Sequence, residues 1–329
     1  MHFAFRTTLN PVFSGLSIAH QDSILAMGSC FAVHIGQYCS DYKFSTLVNP
    51  FGIVFNPISI GNSLHYLMSD RLFAEDDVFQ HQEQWHSFLH HSRFSGLDRE
   101  ATLFAMNASL QQARAFLPKV NRLVLTLGTA NVFVFKETSE IVANCHKLPG
   151  QYFDRKRLGI EAITEAIEPI LREWKERKPD LQVILSVSPV RHTRDGLVEN
   201  QRSKATLLLA AECLCRDMDF VHYFPAYELM MDDLRDYRFY QADLIHPNEV
   251  AIEYIWHFFQ HTFFDDSTRA LMPLIRDVLQ AARHRPFQAR TASHQAFLRK
   301  QLQHIEQLTR QYPFLSFESE RAAFEEQLI

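Results

Sequence analysis

Two short segments of the chain carry residue types that fit nucleophilic catalysis. Residues 28–30 read Gly-Ser-Cys directly after a short apolar run, and far along the chain Asp243 stands three positions before His246. A histidine base needs its second ring nitrogen held so that the correct tautomer faces the nucleophile, and an acid so placed can accept that N–H. The pairing predicts a centre in which Ser29 or Cys30 attacks, His246 moves the proton and Asp243 orients His246.

The elements around these segments must bring them together, and their pattern is that of an α/β protein. Short apolar strands alternate with helical patterns, which indicates a parallel sheet covered by helices on both faces. We therefore predict a three-layer α/β/α fold with a doubly wound parallel sheet. In such sheets, sites form outside the carboxyl ends of the strands. The predicted strands are 23–27, 122–127, 182–187 and 219–223, with a further candidate at 132–135.

Further polar residues follow two of the predicted strands. Gly128 and Asn131 come after the strand at 122–127, and Arg191 with His192 comes after the strand at 182–187. Parallel strands end at one edge of the sheet, so we expect these residues to lie on one rim with the two segments above. Arg191 would bind an anionic group of a substrate there, or pair with an acidic residue a few positions further on.

Composition excludes several classes of partner. The formal charge of −5 and the pI near 6.4 leave no electrostatic footprint for nucleic acid or for an anionic membrane surface. No apolar run approaches the length of a transmembrane helix. Residues 1–10 do not resemble a secretory signal. We therefore expect a cytoplasmic protein that binds neither nucleic acid nor membrane.

The cysteines and histidines give no metal signature. Five cysteines at irregular spacing favour reduced thiols over a disulfide framework, and no Cys-x-x-Cys pair marks structural zinc. His86 and His90 are four residues apart, a spacing that metal ligands also show. We interpret the segment with Trp85, His86, His90 and His91 instead as an aromatic pocket wall with surface histidines. No metal and no organic cofactor is expected.

The chain changes character beyond about residue 265. Strand signals stop, and residues 268–283, 292–311 and 316–328 show helical patterns. We assign residues 1–265 to the α/β domain and residues 266–329 to a C-terminal helical extension. The extension would pack on the α/β body or on a second subunit, which would make a homo-oligomer.

The quoted motifs resemble a known family. Residues 28–32 spell Gly-Ser-Cys-Phe-Ala, the motif that names the GSCFA family, which is placed among the SGNH/GDSL-type hydrolases. The resemblance covers about residues 20–260. It implies a flavodoxin-like SGNH hydrolase fold, no cofactor, and an ester, thioester or N-acyl substrate that is a small molecule or a glycan-linked acyl group. Other segments that carry the resemblance lie at 49–57, 85–88, 127–130, 144–147, 189–192 and 236–247.

The resemblance also assigns roles. The superfamily's first block is Gly-Asp-Ser, and setting the glycines in register places Cys30 on the nucleophilic serine, whereas a one-residue shift keeps Ser29. We favour Cys30, whose thiol near a helix N-terminus and a histidine should have a lowered pKa. A third interpretation is that Cys30 only packs beneath the helix, as buried free cysteines often do.

The superfamily stabilises the oxyanion with the backbone N–H of the nucleophile, a glycine N–H and an asparagine amide. Gly128 matches the glycine, and Asn131 or Asn144 is the candidate amide, with His146 beside Asn144 in the predicted substrate-binding set. The predicted activity is that of an acyl hydrolase or acyltransferase. The alternative is a binding or scaffold protein that keeps the fold without turnover.

Overall fold

The computed structural model describes residues 7–11 and 15–329. Residues 1–6, part of the segment in which no secretory signal is predicted, lie outside this range. A parallel sheet of five strands in the order β2-β1-β5-β9-β10 forms the centre. Among its own strands this is the 2-1-3-4-5 order of flavodoxin-like sheets. The strands are β1 (Ser23–Gly28), β2 (Ser45–Val48), β3 (Phe79–His81), β4 (Gln84–His86), β5 (Val120–Leu127), β6 (Asn131–Phe135), β7 (Glu140–Val142), β8 (Phe153–Arg157), β9 (Gln182–Val187) and β10 (Val221–Phe224).

Helices cover both faces of this sheet. The helices are α1 (Cys30–Asp41), α2 (Pro57–Met68), α3 (Arg99–Phe116), α4 (Ile160–Arg177), α5 (Leu197–Asp217), the short α6 (Ala226–Glu228), α7 (Glu249–Phe263), α8 (Asp266–Arg283), α9 (Ala292–Gln311) and α10 (Glu318–Glu325). Alternate strand residues enter two separate cores, because successive side chains of a strand point to opposite faces. Leu25 and Leu125 pack with α2 to α5, whereas Ile24 and Val124 pack with α1 and α7. The predicted three-layer α/β/α architecture is therefore what the structure shows.

The strand predicted at 132–135 forms, but it lies outside the central sheet. It is β6, which pairs antiparallel with β7 and β8 in a separate sheet. Of its residues only Val132 is buried and the others are half-buried. A short apolar pattern does not distinguish such a strand from a central one.

Side-chain caps fix where the helices at the rim begin. The hydroxyl of Ser29 accepts the N–H of Phe31 at 3.2 Å and caps α1. Asn248 caps α7 by accepting the N–H of Ala251 at 3.1 Å. Pro247 directly precedes this cap. The Asp-x-x-His segment is thus an ordered loop that ends where α7 starts.

The C-terminal helices pack on the α/β body. Leu271 of α8, Leu298 of α9 and Phe324 of α10 lie in one buried cluster with Ile35 of α1 and Trp256 of α7. An ion pair between Lys43 and Glu320, 2.8 Å between Nζ and Oε1, joins the same two parts. The apolar faces of these helices are therefore buried within their own chain, and the homo-oligomer stays a prediction.

In the part of the chain that the structure describes, no helix combines the length and the apolar character that crossing a bilayer requires.

Candidate active site

The turn between β1 and α1 has a backbone that only glycine fits. Gly28 has a φ of 131°, and a Cβ at this position would collide with the carbonyl oxygen of Thr126 on the neighbouring strand. The side chain of Asn49 holds the Gly28 peptide on both sides: its Oδ1 accepts the Gly28 N–H at 2.8 Å, and its Nδ2 donates to the Gly28 carbonyl at 3.3 Å. The start of α1 is therefore fixed at the carboxyl edge of the sheet.

The two candidate nucleophiles occupy different environments. Ser29 is buried, its hydroxyl serves as the cap of α1, and its N–H donates to Thr126. Cys30 is the first residue of α1 and is half-buried. Among the described residues, no backbone carbonyl accepts the Cys30 N–H, which instead faces the residue's own thiol. The positive end of the helix and one free backbone donor thus lie beside the Cys30 thiol.

The electrostatics of the thiol differ from the prediction. Burial raises the pKa of Cys30 above its ordinary value, the opposite of the expected lowering. The Cys30 N–H offsets the effect of burial only in part, and among the described residues no histidine or cation hydrogen-bonds to Sγ. Cys30 therefore rests as a thiol, and a base must remove its proton before it can attack.

The Asp243–His246 pair has the geometry of an oriented base. The Nδ1–H of His246 donates to Oδ2 of Asp243 at 2.7 Å, while Oδ1 of the same carboxylate accepts the N–H groups of Ile245 and His246 at 2.9 and 3.0 Å. These bonds lower the pKa of Asp243 to about 2. An ionised carboxylate only accepts hydrogen bonds, so Nδ1 carries the proton and Nε2 is free to act as a base.

His246 faces the rim between α1 and the segment after β9. Burial is the larger cause, and the charge of His246 the smaller cause, of the lowered pKa of His34. Burial, as the largest cause, together with the charges of Lys204 and His246, lowers the pKa of His192 to about 3. His34 lies one turn beyond Cys30 on the same face of α1. Within the described residues, no hydrogen bond joins His246 to Sγ of Cys30, and such contacts are often long before a substrate binds.

His34 lies at this rim but belongs to none of the sequence motifs described above. Its signal in the sequence is the four-residue spacing from Cys30, which places both side chains on one helix face. A second base near the thiol is thereby available to the chemistry of this rim.

Gly128 has a different role from the expected one. Its N–H donates to the carbonyl of Phe55 at 2.7 Å, so it is not free to bind an oxyanion. A Cβ at Gly128 would lie 2.8 Å from the Cβ of Phe55 and 3.2 Å from Nε2 of His192. The ring of Phe55 stacks on His192 with centroids 5.1 Å apart. Gly128 thus allows Phe55 and His192 to close over the end of β5.

A buried lysine beneath this rim was not anticipated. Lys204 of α5 is 1% exposed and has no carboxylate partner among the described residues. Its Nζ donates to the carbonyls of Gly128 and Ser188, each at 2.7 Å, and lies 5.7 Å from the centre of the Tyr227 ring. These carbonyls follow β5 and β9, so Lys204 joins the ends of two adjacent strands.

Lys204 should make the stability of the protein depend on pH. Burial lowers its pKa to about 7, and a neutral amine still has two N–H donors for the two carbonyls. Between pH 7 and about 10 the unfolded chain then binds more protons, so the free energy of unfolding rises with pH, by at most about 1.4 kcal/mol per pH unit. In urea unfolding at pH 7, 8 and 9, Lys204→Met should lack this rise. A constant difference between the two proteins would show that Lys204 titrates normally.

Arg191, in the segment after β9, is hydrogen-bonded to the loop that carries His246. Its N–H donates to the carbonyl of Ile245 at 3.2 Å and its guanidinium to that of Leu244 at 3.1 Å. The predicted alternative, a pair with a nearby acid, is not formed, because Asp195 pairs with Arg155 and Glu199 pairs with Arg157 and Arg202. Within the described part of the chain, Arg191 therefore has no carboxylate partner.

Neither candidate oxyanion amide is hydrogen-bonded to Cys30 among the described residues. Asn131 begins β6, opposite Arg157 of β8, and lines a crevice with Arg155 and Glu199. Asn144 accepts the N–H of His146 at 2.9 Å through its side-chain oxygen. Among the described residues, neither asparagine forms a hydrogen bond with the thiol or with His246. Of the expected oxyanion donors, the Cys30 N–H is the one that lies beside the thiol.

The histidine-rich segment forms a neutral buried cluster. His86 and His90 are buried, so the prediction of surface histidines is wrong for these two. Burial lowers the pKa of His90 to about 3 and that of His146 to about 4. His146 donates to the Ser87 carbonyl at 2.7 Å and stacks near His86. Burial among aromatic side chains keeps these histidine rings uncharged. The sequence shows only the spacing of the histidines and does not predict this burial.

Trp85 lies in the same region as His86 and His90, the two histidines with the spacing of metal ligands. The Trp85 ring lies 5.1 Å from the Arg99 guanidinium, on the outer side of the cluster. Across residues 7–11 and 15–329, no group of three or more His, Cys, Asp or Glu side chains is arranged to hold a metal ion. We therefore interpret this segment as packing for the loop that carries Asn49 and Phe55.

The strand order and the polar rim place the protein in the three-layer α/β class. The chain belongs to the GSCFA family, whose model matches residues 23–259. A second model, for the C-terminal domain of GSCFA domain proteins, matches residues 275–329, from within α8 to the last residue. No curated protein and no solved structure was found to match the chain.

Proposed function

We propose that this protein is an SGNH-like acyl hydrolase or acyltransferase that acts on an ester, thioester or N-acyl bond. Cys30 is the nucleophile, His246 the general base and acid, and Asp243 the residue that orients His246. The observation that carries the proposal is the Asp243–His246 pair, with its 2.7 Å bond and free Nε2, on the same rim as the start of α1. Such a pair is the orienting half of a catalytic triad.

The proposed reaction proceeds through a covalent intermediate. Nε2 of His246 takes the proton of the Cys30 thiol as Sγ forms a bond to the acyl carbon. The bond to the leaving group then breaks, and His246 returns the proton to the departing oxygen, sulfur or nitrogen. Water or an acceptor hydroxyl, deprotonated by His246, attacks the acyl thioester and releases Cys30. The Cys30 N–H at the start of α1 stabilises the oxyanion in both steps.

A second candidate is a binding or scaffold protein on the same fold. Three observations favour it: burial raises the pKa of Cys30, the Gly128 N–H is occupied by Phe55, and neither Asn131 nor Asn144 is hydrogen-bonded to Cys30 or His246 among the described residues. A protein with these features could keep the rim for recognition alone. The two candidates differ in whether His246 acts on the thiol.

Alkylation of Cys30 by iodoacetamide separates the two candidates. Because the thiolate is the reactive form and burial disfavours it, fast reaction at pH 7 requires His246 to take the proton. We expect His246→Ala to slow alkylation of the Cys30 peptide, measured by mass spectrometry, by about tenfold or more. Cys213, half-buried on α5, is the internal control and should react at the same rate in both proteins. Equal rates at Cys30 would contradict the catalytic assignment and favour the scaffold.

A further inference from the structure

A cavity of about 270 Å³ opens beside the loop that carries His246. One wall is apolar and is formed by Met230, Met231 and Leu234, at and just after a single π-helical turn. The opposite wall contains Arg191 and Tyr240. Single π-turns occur often at functional sites. The cavity is smaller than the roughly 300–1,000 Å³ of whole-ligand pockets, so it suits one part of a substrate.

Arg191 brings an uncompensated positive charge to this cavity. Its guanidinium lies 5.5 Å from the centre of the Tyr240 ring and 5.8 Å from that of Tyr237, and it has no carboxylate within ion-pair distance among the described residues. One N–H group donates to Leu244, which leaves most of its five donors unused. The position therefore has the charge and the donors for an anionic ligand.

The other charged residues of the cavity are already paired. Arg235 forms an ion pair with Asp232. Asp236 accepts the N–H of Arg238 at 2.9 Å, and its other oxygen lies 3.9 Å from the guanidinium of the same residue. Arg191 is therefore the charge in this cavity that a ligand would have to balance.

Two neutral groups add further donors. The hydroxyl of Tyr240 has no partner among the described residues, and burial raises the pKa of Tyr240, which keeps it protonated. Gln201 accepts the hydroxyl proton of Tyr227 through its oxygen at 2.6 Å, so its amide N–H groups remain available. Apart from the carboxylate of Asp236, the polar groups that remain available in the cavity can thus donate, and Met230, Met231 and Leu234 form its apolar part.

We propose that this cavity binds a carboxylate on a short apolar stem of the substrate, with Arg191 as its ion partner. The fork of the guanidinium matches a carboxylate or a phosphate, but one uncompensated charge balances a monoanion. The carboxylate of Asp236 at the cavity further disfavours a phosphate dianion. That the ligand is part of the substrate rests on the proposed function. Binding of a carboxylate in this cavity does not depend on that function.

The same arginine links the cavity to the base. Its backbone and its guanidinium hold the carbonyls of Ile245 and Leu244, which lie between Asp243 and His246. A carboxylate bound by Arg191 would therefore fix the loop that positions Nε2. The cavity supplies both substrate selection and alignment of the base.

Binding can be tested without turnover. The probes are butyrate and its neutral counterpart butyramide, titrated into protein that carries ¹³C-methyl methionine, and the readout is the methyl signals of Met230 and Met231. We expect butyrate to shift these signals, and butyramide to bind about tenfold more weakly because it lacks the charge. Equal binding of the two probes, or tighter binding of inorganic phosphate than of butyrate, would overturn the proposal.

Variants locate the charge. Arg191→Met should weaken butyrate binding by about tenfold, and Arg191→Lys, which keeps the charge but loses the fork, by a smaller factor. The matched control is Arg235→Met, which removes a paired arginine from the same cavity and should change affinity by about twofold at most. A loss in Arg235→Met equal to that in Arg191→Met would contradict the assignment. His246→Ala should leave butyrate binding unchanged, so that failure of the catalytic proposal is distinguished from failure of this one.

Discussion

Replacing Cys30 by alanine should lower kcat/KM for nitrophenyl esters and thioesters by about a thousandfold or more. The variant lacks the only atom that can form the acyl intermediate in the proposed reaction, and removal of a nucleophile has effects of at least this size. The measurement is steady-state hydrolysis of a panel of short acyl esters and thioesters. The side chain is half-buried at a helix start, where alanine is readily accommodated.

The matched control is the neighbouring residue. Ser29→Ala removes the cap of α1 and should lower the free energy of unfolding by about 1 kcal/mol. Because Ser29 is buried and its hydroxyl faces the helix backbone, we expect kcat to change little in the folded variant. Full activity in Cys30→Ala together with loss of activity in Ser29→Ala would show that the serine is the nucleophile.

The inner strands of the central sheet, β1, β5 and β9, could be predicted from the sequence because they are mostly apolar and buried on both faces. Helices follow β1 and β9, whereas strand β6 follows β5. Residues 132–135 also form a strand, but in another sheet. A short apolar pattern does not show with which strand it pairs. The neighbours of β6 are set by β7 and β8, whose exposed residues carry little pattern.

The local part of the site could likewise be predicted, and the part made by tertiary contacts could not. Asp243 reaches His246 within one loop, so their spacing is sufficient. Lys204 reads as an ordinary polar residue of a helix, and it is buried only because the ends of two strands pack against it. The engagement of the Gly128 N–H depends on Phe55, more than seventy residues away in the sequence. No pattern within either segment signals that contact.

Replacing Asp243 by asparagine should lower kcat/KM by about 10³–10⁴-fold at pH 7. The amide can donate to Nδ1 of His246, which then carries no proton, so that Nε2–H faces Cys30 and cannot act as a base. The pH profile should change with it. The pKa of Asp243 is about 2, so its titration lies far below the working range. Activity of the variant should recover only at alkaline pH, above the ordinary range of a cysteine, because burial raises the pKa at which the Cys30 thiol ionises without a base.

The control for this substitution is Glu249→Gln, which removes an exposed carboxylate from the first turn of α7 without touching the histidine. It should change kcat/KM by less than about threefold, as surface substitutions usually do. If Asp243→Asn keeps full activity at pH 7, His246 is not the base, and His34 becomes the residue to replace. It lies on the same face of α1 as Cys30, and burial together with the charge of His246 lowers its pKa and keeps it neutral. Loss of activity in His34→Gln, with Asp243→Asn unaffected, would therefore move the base from the loop to the helix and leave Cys30 as the nucleophile.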